Sequence, residues 1–192
     1  MKSIVNNRTE FLNAVKKLLP KNPLCLEIGA YHGEFAKNMY DILSPKELYL
    51  MDPFEDVPTK QLTGFTKTER YHTGHKIIYS DQSTLQNLKN IHAEGISKGI
   101  VRIDENLSFN AVDNYDDDYF DFIYIDSCHL YECVKFDMEN YYPKLKSGGF
   151  LAGHDYGDFG VTDAVDEFCK KHNSDIILLC SFQGDWMLSE KP

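Results

Sequence analysis

The sequence predicts an α/β fold: a doubly wound, mostly parallel seven-stranded sheet with helices on both faces and an antiparallel hairpin at the carboxyl end. Three observations carry this expectation. Apolar runs of strand length alternate with amphipathic stretches of helical spacing. The first such run, Leu24–Ile28, stops at Gly29-Ala-Tyr-His-Gly33, a tight turn that opens a helix directly. Two last runs, Ile176–Cys180 and Trp186–Leu188, are separated by a short polar stretch containing Gln183-Gly-Asp185, which suits a hairpin.

The elements follow in order. Phe11, Leu12, Val15, Leu18 and Leu19 share one face at helical spacing before Pro20, so residues 1–21 are expected to hold a leading helix over a sheet edge. Leu24–Ile28 is the first strand. Phe35, Met39 and Leu43 recur every four residues and give a helix from Gly33 to Ser44-Pro45. Glu47–Met51 is the second strand, closed by Asp52-Pro53. Residues 54–80 show no periodicity and mix aromatics with Thr, Lys and His, which suits a lid or insertion loop. Ser83-Thr-Leu-Gln86 reads as a capping box for a helix carrying Leu85, Leu88, Ile91 and Ile96. Residues 100–103 form the third strand. Residues 114–118 are an acidic run whose consecutive side chains cannot converge on one ion, so a solvated loop is expected. Phe120–Ile125 is the most buried-looking strand. A helix with Leu130, Val134, Met138 and Tyr141 on one face follows. Residues 143–149 make a return turn and residues 150–152 a strand. Thr162 caps a helix bearing Val165, Phe168, Cys169 and His172.

Length and composition bound the function. The 192 residues, 42% of them hydrophobic, suffice for one domain with a full core. A net charge of −10 repels phosphate backbones, so neither nucleic acid nor an anionic membrane is an expected partner. No apolar run has the length to span a bilayer, and no targeting peptide is evident. Cys25, Cys128, Cys133, Cys169 and Cys180 lack zinc-site spacing and read as reduced residues of a cytoplasmic protein.

The chemistry gathers at the strand ends. Glu27, Asp52, Asp104, Asp126 and Asp155 fall at or just beyond the carboxyl ends of five strands. In an open α/β sheet those ends line one rim, where ligands bind. Asp52, about 20 residues past the glycine turn, is placed to accept the hydroxyls of a ribose. The turn lacks the G-x-G-x-x-G spacing for a pyrophosphate, and Glu27 beside it would repel one. A nucleoside whose other end carries an amino acid suits this turn better.

These motifs carry a resemblance. Leu-Glu-Ile-Gly-Ala-Tyr-His-Gly followed by Leu-Met-Asp-Pro resembles the cofactor motifs of class I S-adenosylmethionine-dependent methyltransferases, with their Rossmann-like fold. The stretches Phe-Asp-Phe-Ile-Tyr-Ile-Asp-Ser-Cys-His-Leu-Tyr-Glu, Tyr-Pro-Lys-Leu-Lys-Ser-Gly-Gly-Phe-Leu-Ala-Gly-His-Asp-Tyr and Gly-Val-Thr-Asp-Ala-Val-Asp-Glu-Phe are similar to the methyltransferase-24 family. That family is similar in turn to macrocin-type sugar O-methyltransferases and cephalosporin-hydroxylase-like proteins. The resemblance implies that Glu27, Gly29, Tyr31 and Gly33 form the cofactor turn, that Asp52 holds the ribose, and that Leu107 and Ser108 contact the adenine. It implies that Asp126 lies beside the sulfonium and the acceptor. In the metal-using relatives an acid after one strand and an acidic pair after the next hold Mg²⁺. Here the pair reads His154-Asp155, so Asp126, His154 and Asp155 are the candidate ligands, and Mg²⁺ favours oxygen donors. Otherwise His129 or His154 serves as a general base, and the expected catalytic set is Asp126, His129, His154 and Asp155. The expected reaction is O-methylation of a small-molecule or saccharide acceptor, the alternative a non-catalytic nucleoside-binding module. A homodimer is compatible with either.

Overall fold

A computed structural model describes residues 2–54, 81–157 and 159–192; the side chain of Phe159 is not described. The expected lid at 54–80 lies outside the described residues apart from Phe54, which is fully buried.

Among the described residues the sheet has eight strands: β1 (Ser3–Val5), β2 (Leu24–Ile28), β3 (Glu47–Met51), β4 (Val101–Asp104), β5 (Phe120–Ile125), β6 (Leu145–Gly153), β7 (Ile176–Cys180) and β8 (Trp186–Leu188). Their order across the sheet is β1-β7-β8-β6-β5-β2-β3-β4. All pairings are parallel except those of β8 with β6 and β7. The expectation of seven strands is corrected by β1. Its three residues are too few for a period to show, and Ser3, Ile4 and Val5 add to the free edge of β7 opposite Leu178, Leu179 and Cys180.

The helices are α1 (Arg8–Lys16), α2 (Glu34–Leu43), α3 (Gln82–Ile91), α4 (Ala93–Ser97), α5 (Ser108–Ala111), α6 (Tyr131–Tyr141) and α7 (Phe159–His172). They cover both faces, as double winding requires. Phe11, Leu12 and Val15 of α1, Phe35, Ala36 and Met39 of α2, and Leu85 and Leu88 of α3 pack on one face. Val134, Met138 and Tyr141 of α6 and Val161, Val165 and Phe168 of α7 pack on the other. Alternation along β5 serves both: Phe122 and Tyr124 face the first layer, Ile123 and Ile125 the second.

Local signals shifted at four places. The α3 cap is Asp81, not Ser83: its carboxylate accepts from the Ser83 and Thr84 amides, and the Thr84 hydroxyl reaches back to the Asp81 amide. The expected single helix breaks at His92, where α3 gives way to α4. β6 starts at Leu145, inside the expected return turn, because a bulge lets both Leu145 and Phe150 pair with β5. Thr162 lies within α7 and accepts instead from the Gly157 amide at 3.0 Å. Cys25 and Cys180 are buried and none of the five cysteines is paired. No helix among the described residues is long and apolar enough to cross a membrane.

Candidate functional site

Because β2, β3, β4, β5 and β6 run parallel, their carboxyl ends share one rim. The antiparallel β8 brings its amino end to the same rim, Trp186 standing opposite Gly153.

The glycine turn forms one half of this rim. Gly29 and Ala30 donate to the Met51 carbonyl, continuing the β2–β3 pairing. Gly29 has φ of +91°, and a Cβ there would stand 2.1 Å from the Asp126 carbonyl oxygen. Its glycine therefore lets the turn close against the end of β5, not against an open ligand cradle. Gly33, with φ of +79°, donates to the Ala30 carbonyl and begins α2. Its own carbonyl accepts from His92 Nε2 at 2.9 Å, and the same imidazole fills the space a Cβ would take. Tyr31, also left-handed at φ +46°, donates its amide to Asp52 Oδ2 at 3.1 Å, and the Phe54 amide donates to Oδ1 at 3.0 Å. Asp52 is thereby fixed at the end of β3, only 6% exposed.

Glu27 lies deeper, 2% exposed, between Leu50 and Tyr124 on the neighbouring strands. Among the described residues its Oε2 has no hydrogen-bond partner. Burial, then the charges of Asp126 and Asp52, raise its carboxyl well above the usual range, while Arg8 opposes them. A buried acid with a free oxygen fits a ligand that brings its own ammonium. Leu107 and Ser108 follow β4, half-buried where α5 begins. The Ser108 carbonyl accepts from the Tyr141 hydroxyl at 2.8 Å. Asp137 on α6 ties this corner to the β5 turn: burial raises it to about 6, and the Ser108 and Ser127 hydroxyls act against that shift. Asp104, the remaining rim acid, is taken up locally by Tyr115 and Asn106, both at 2.6 Å.

The other half of the rim joins the ends of β5 and β6. Asp155 Oδ2 stands 3.0 Å from both His129 Nε2 and His154 Nδ1. Asp126 Oδ1 lies 3.8 Å from His129 Nε2 and 3.6 Å from His154 Nδ1, ion-pair distances beyond hydrogen-bond length. Asp155 adopts φ of +58°, a left-handed backbone that aims its carboxylate between the imidazoles. Trp186 Nε1 donates to the His154 carbonyl at 3.0 Å and fixes that residue. Asp126 and Asp155 push His129 up to about 10. Burial works against charge on His154, yet the same carboxylates raise it to about 9. Burial is likewise overcome at Asp155, which the two imidazoles hold below the usual carboxylate range. One ligand atom each from Asp126, His154 and Asp155 falls within 4.8 Å of the others, a spacing that could hold a metal ion. A pocket beside them is lined by Asp126, Cys128, His129, Val134, His154 and Trp186.

The structure thus gathers Asp126, His129, His154 and Asp155 into one cluster. Gly29 packs on its near side, while Leu107 and Ser108 stand apart. Three residues that the sequence did not single out belong to the same rim. Arg8 lies 3.4 Å from Asp126 Oδ2 and 3.1 Å from Asp185 Oδ1. The fully buried Tyr124 donates its hydroxyl to Asp185. The hairpin reading held the one usable signal, since an antiparallel last strand returns Asp185 to this edge.

A family model described as a methyltransferase domain matches residues 26–156. No curated protein matches the sequence. The chain's fold is similar to that of the O-methyltransferase NovP, with a TM-score of 0.70 and 17% identity over 96% of this chain and 80% of that one. It is also similar to the O-methyltransferase TomG from Streptomyces achromogenes, solved in complex with SAM, with a TM-score of 0.61 and 12% identity over 96% and 80%. Spermidine synthase from Thermotoga maritima gives a TM-score of 0.57 and 16% identity over 96% of this chain and 58% of that one. The fold alone therefore does not select the reaction.

Proposed function

The chain belongs to the methyltransferase family whose model it matches, and on that premise we propose that it methylates a hydroxyl of a small acceptor, a sugar or glycan end being the class we name. The observation that carries this reading is the Asp126–His129–His154–Asp155 cluster, set against a turn that holds a buried, unsatisfied Glu27. The choice of oxygen as nucleophile follows from the acid–imidazole cluster, since a hydroxyl must lose its proton on transfer; the O-methyltransferases NovP and TomG share the fold.

S-adenosylmethionine supplies an electrophilic methyl group when bound. Glu27 would take its ammonium, Asp52 its ribose hydroxyls, and the α5 corner at Leu107 and Ser108 its adenine. The turn from Gly29 through Tyr31 to Gly33 would enclose it. Asp126, adjoining both halves of the rim, would hold the acceptor hydroxyl near the reacting carbon. His129, the more exposed imidazole with 39% of its side chain accessible against 21% for His154, would take the acceptor's proton in its neutral form, and because Asp126 and Asp155 raise it to about 10, transfer by this route is expected to rise toward alkaline pH. Asp155 orients both rings.

A divalent cation fits Asp126, His154 and Asp155 by spacing. When bound it would lower the acceptor hydroxyl's pKa. The imidazole departs from the all-oxygen set that Mg²⁺ favours and suits Mn²⁺ or Fe²⁺ equally.

Calorimetry with S-adenosylmethionine and S-adenosylhomocysteine, followed by turnover on a panel of hydroxylated small molecules and sugars, tests the reading. Binding with methyl transfer to oxygen supports it. Binding with no transfer to any acceptor assigns the chain instead to a binding module.

A further inference from the structure

Arg8 opens α1 at the reactive rim because β1 lies parallel to β7, with Val5 opposite Cys180. Its guanidinium is held on three sides. Nε donates to Asp185 Oδ1 at 3.1 Å. Nη2 lies 3.5 Å from the Tyr124 hydroxyl. Its plane sits over the Phe35 ring, 4.6 Å from the centroid, at the start of α2. Asp185 and Tyr124 are wholly buried, whereas 23% of the Arg8 side chain is accessible. The same Nη2 reaches Asp126 Oδ2 at 3.4 Å. The two oxygens of Asp126 are thereby divided: Oδ2 faces Arg8, and Oδ1 faces His129 and His154. An ion pair serving stability alone would end at Asp185. This one continues to a carboxylate of the cluster.

We infer that Arg8 is a positioning residue, anchored by Asp185 and Tyr124, that fixes the rotation of the Asp126 carboxylate so that Oδ1 stays turned to the imidazoles. The inference rests on the proposed role of Asp126 in methyl transfer. A planar fork can hold both acids at once, which a lysine ammonium cannot.

The test is a crystal structure of Arg8→Met beside that of the wild-type protein, with kinetics of Arg8→Met and Arg8→Lys. The expected result is an Asp126 carboxylate turned away from one or both imidazoles in Arg8→Met. Turnover on the acceptor found in the panel should fall about 10- to 100-fold, the scale of a small misplacement at a reacting centre. KM for that acceptor and the Kd for S-adenosylhomocysteine should stay within about threefold, as for a change confined to the transition state. Arg8→Lys should fall between the two. If Arg8→Met does not fold, Asp185→Asn removes the anchor's charge at constant shape and should release the same carboxylate. An unmoved carboxylate overturns the inference even if no acceptor is ever turned over. Unchanged turnover with a lowered melting temperature also overturns it, leaving a structural ion pair. Absence of turnover in the wild-type protein sinks the methyl-transfer reading instead, and the carboxylate's orientation still decides the role of Arg8.

Discussion

Asp126 meets three cations, Arg8, His129 and His154, and its backbone carbonyl closes on Gly29. Replacing it with Asn keeps the shape and removes the charge that orients them. Asp126→Asn should lower turnover by about 10²- to 10⁴-fold, the range of an acid–base assembly, with cofactor affinity nearly unchanged; steady-state kinetics with calorimetry measures both. Glu27 invites the opposite split. Its Oε2 has no hydrogen-bond partner among the described residues and Gln keeps the shape, so Glu27→Gln should fold normally. It should weaken S-adenosylmethionine binding by about 10- to 100-fold, the loss of a charge-assisted hydrogen bond of about 1.5–3 kcal/mol. Equal affinity for wild type and variant would remove Glu27 from the cofactor site.

At the scale of elements, the strands were legible where apolar residues run for five or six positions, as in Phe120–Ile125. They were illegible where three residues borrow a neighbour's edge, as in β1. The helix faces read correctly at Phe35, Met39, Val134 and Met138, all buried, but not at Leu18, which lies beyond the end of α1 and is exposed, nor at Ile91, exposed at the end of α3. The caps read less well, because Asp81 and Ser83 carry equivalent local signals and only tertiary packing chooses between them. The rim acids could be placed from sequence because a parallel sheet sends every strand end the same way. Arg8 could not, because its place depends on β1, nor was Asp185 singled out within the hairpin. The glycine turn shows a further limit: its spacing marks a ligand site, but the demand for glycine at 29 comes from Asp126 across the strand gap. Gly29→Ala should therefore destabilise the fold by about 2–4 kcal/mol, from overpacking and a left-handed backbone together. Chemical denaturation with and without S-adenosylhomocysteine measures it, and an unchanged midpoint would contradict the packing argument.

At the scale of the whole molecule, the site imposes a pH dependence opposite to that of most acidic proteins. His129 and His154 are raised to about 10 and about 9, against an unfolded value of about 6.5. The folded chain binds more protons than the unfolded chain across that window. The stabilisation is complete below about pH 6.5 and is lost as pH rises through 9 to 10. Asp137, raised to about 6, acts in the same sense at lower pH, its contribution fading between about pH 4 and 6. Asp126 and Asp155 have lowered values, so their stabilisation is present above about pH 4 and fails as pH falls through the folded pKa. The metal-free protein should accordingly melt highest in mild acid and lose several degrees by about pH 9. The two imidazolium charges occupy the ground that one divalent cation would neutralise. Mn²⁺ should therefore displace their protons and raise the alkaline arm more than the acid one, since metal binding to protonated ligands strengthens with pH. Melting temperatures from pH 4 to 10, with chelator and with Mn²⁺, and again for the double variant His129→Gln/His154→Gln, measure both effects. The double variant should flatten the alkaline arm and erase the response to Mn²⁺. A wild-type curve that stays level from pH 6.5 to 10 would mean that the carboxylates do not hold these histidines charged.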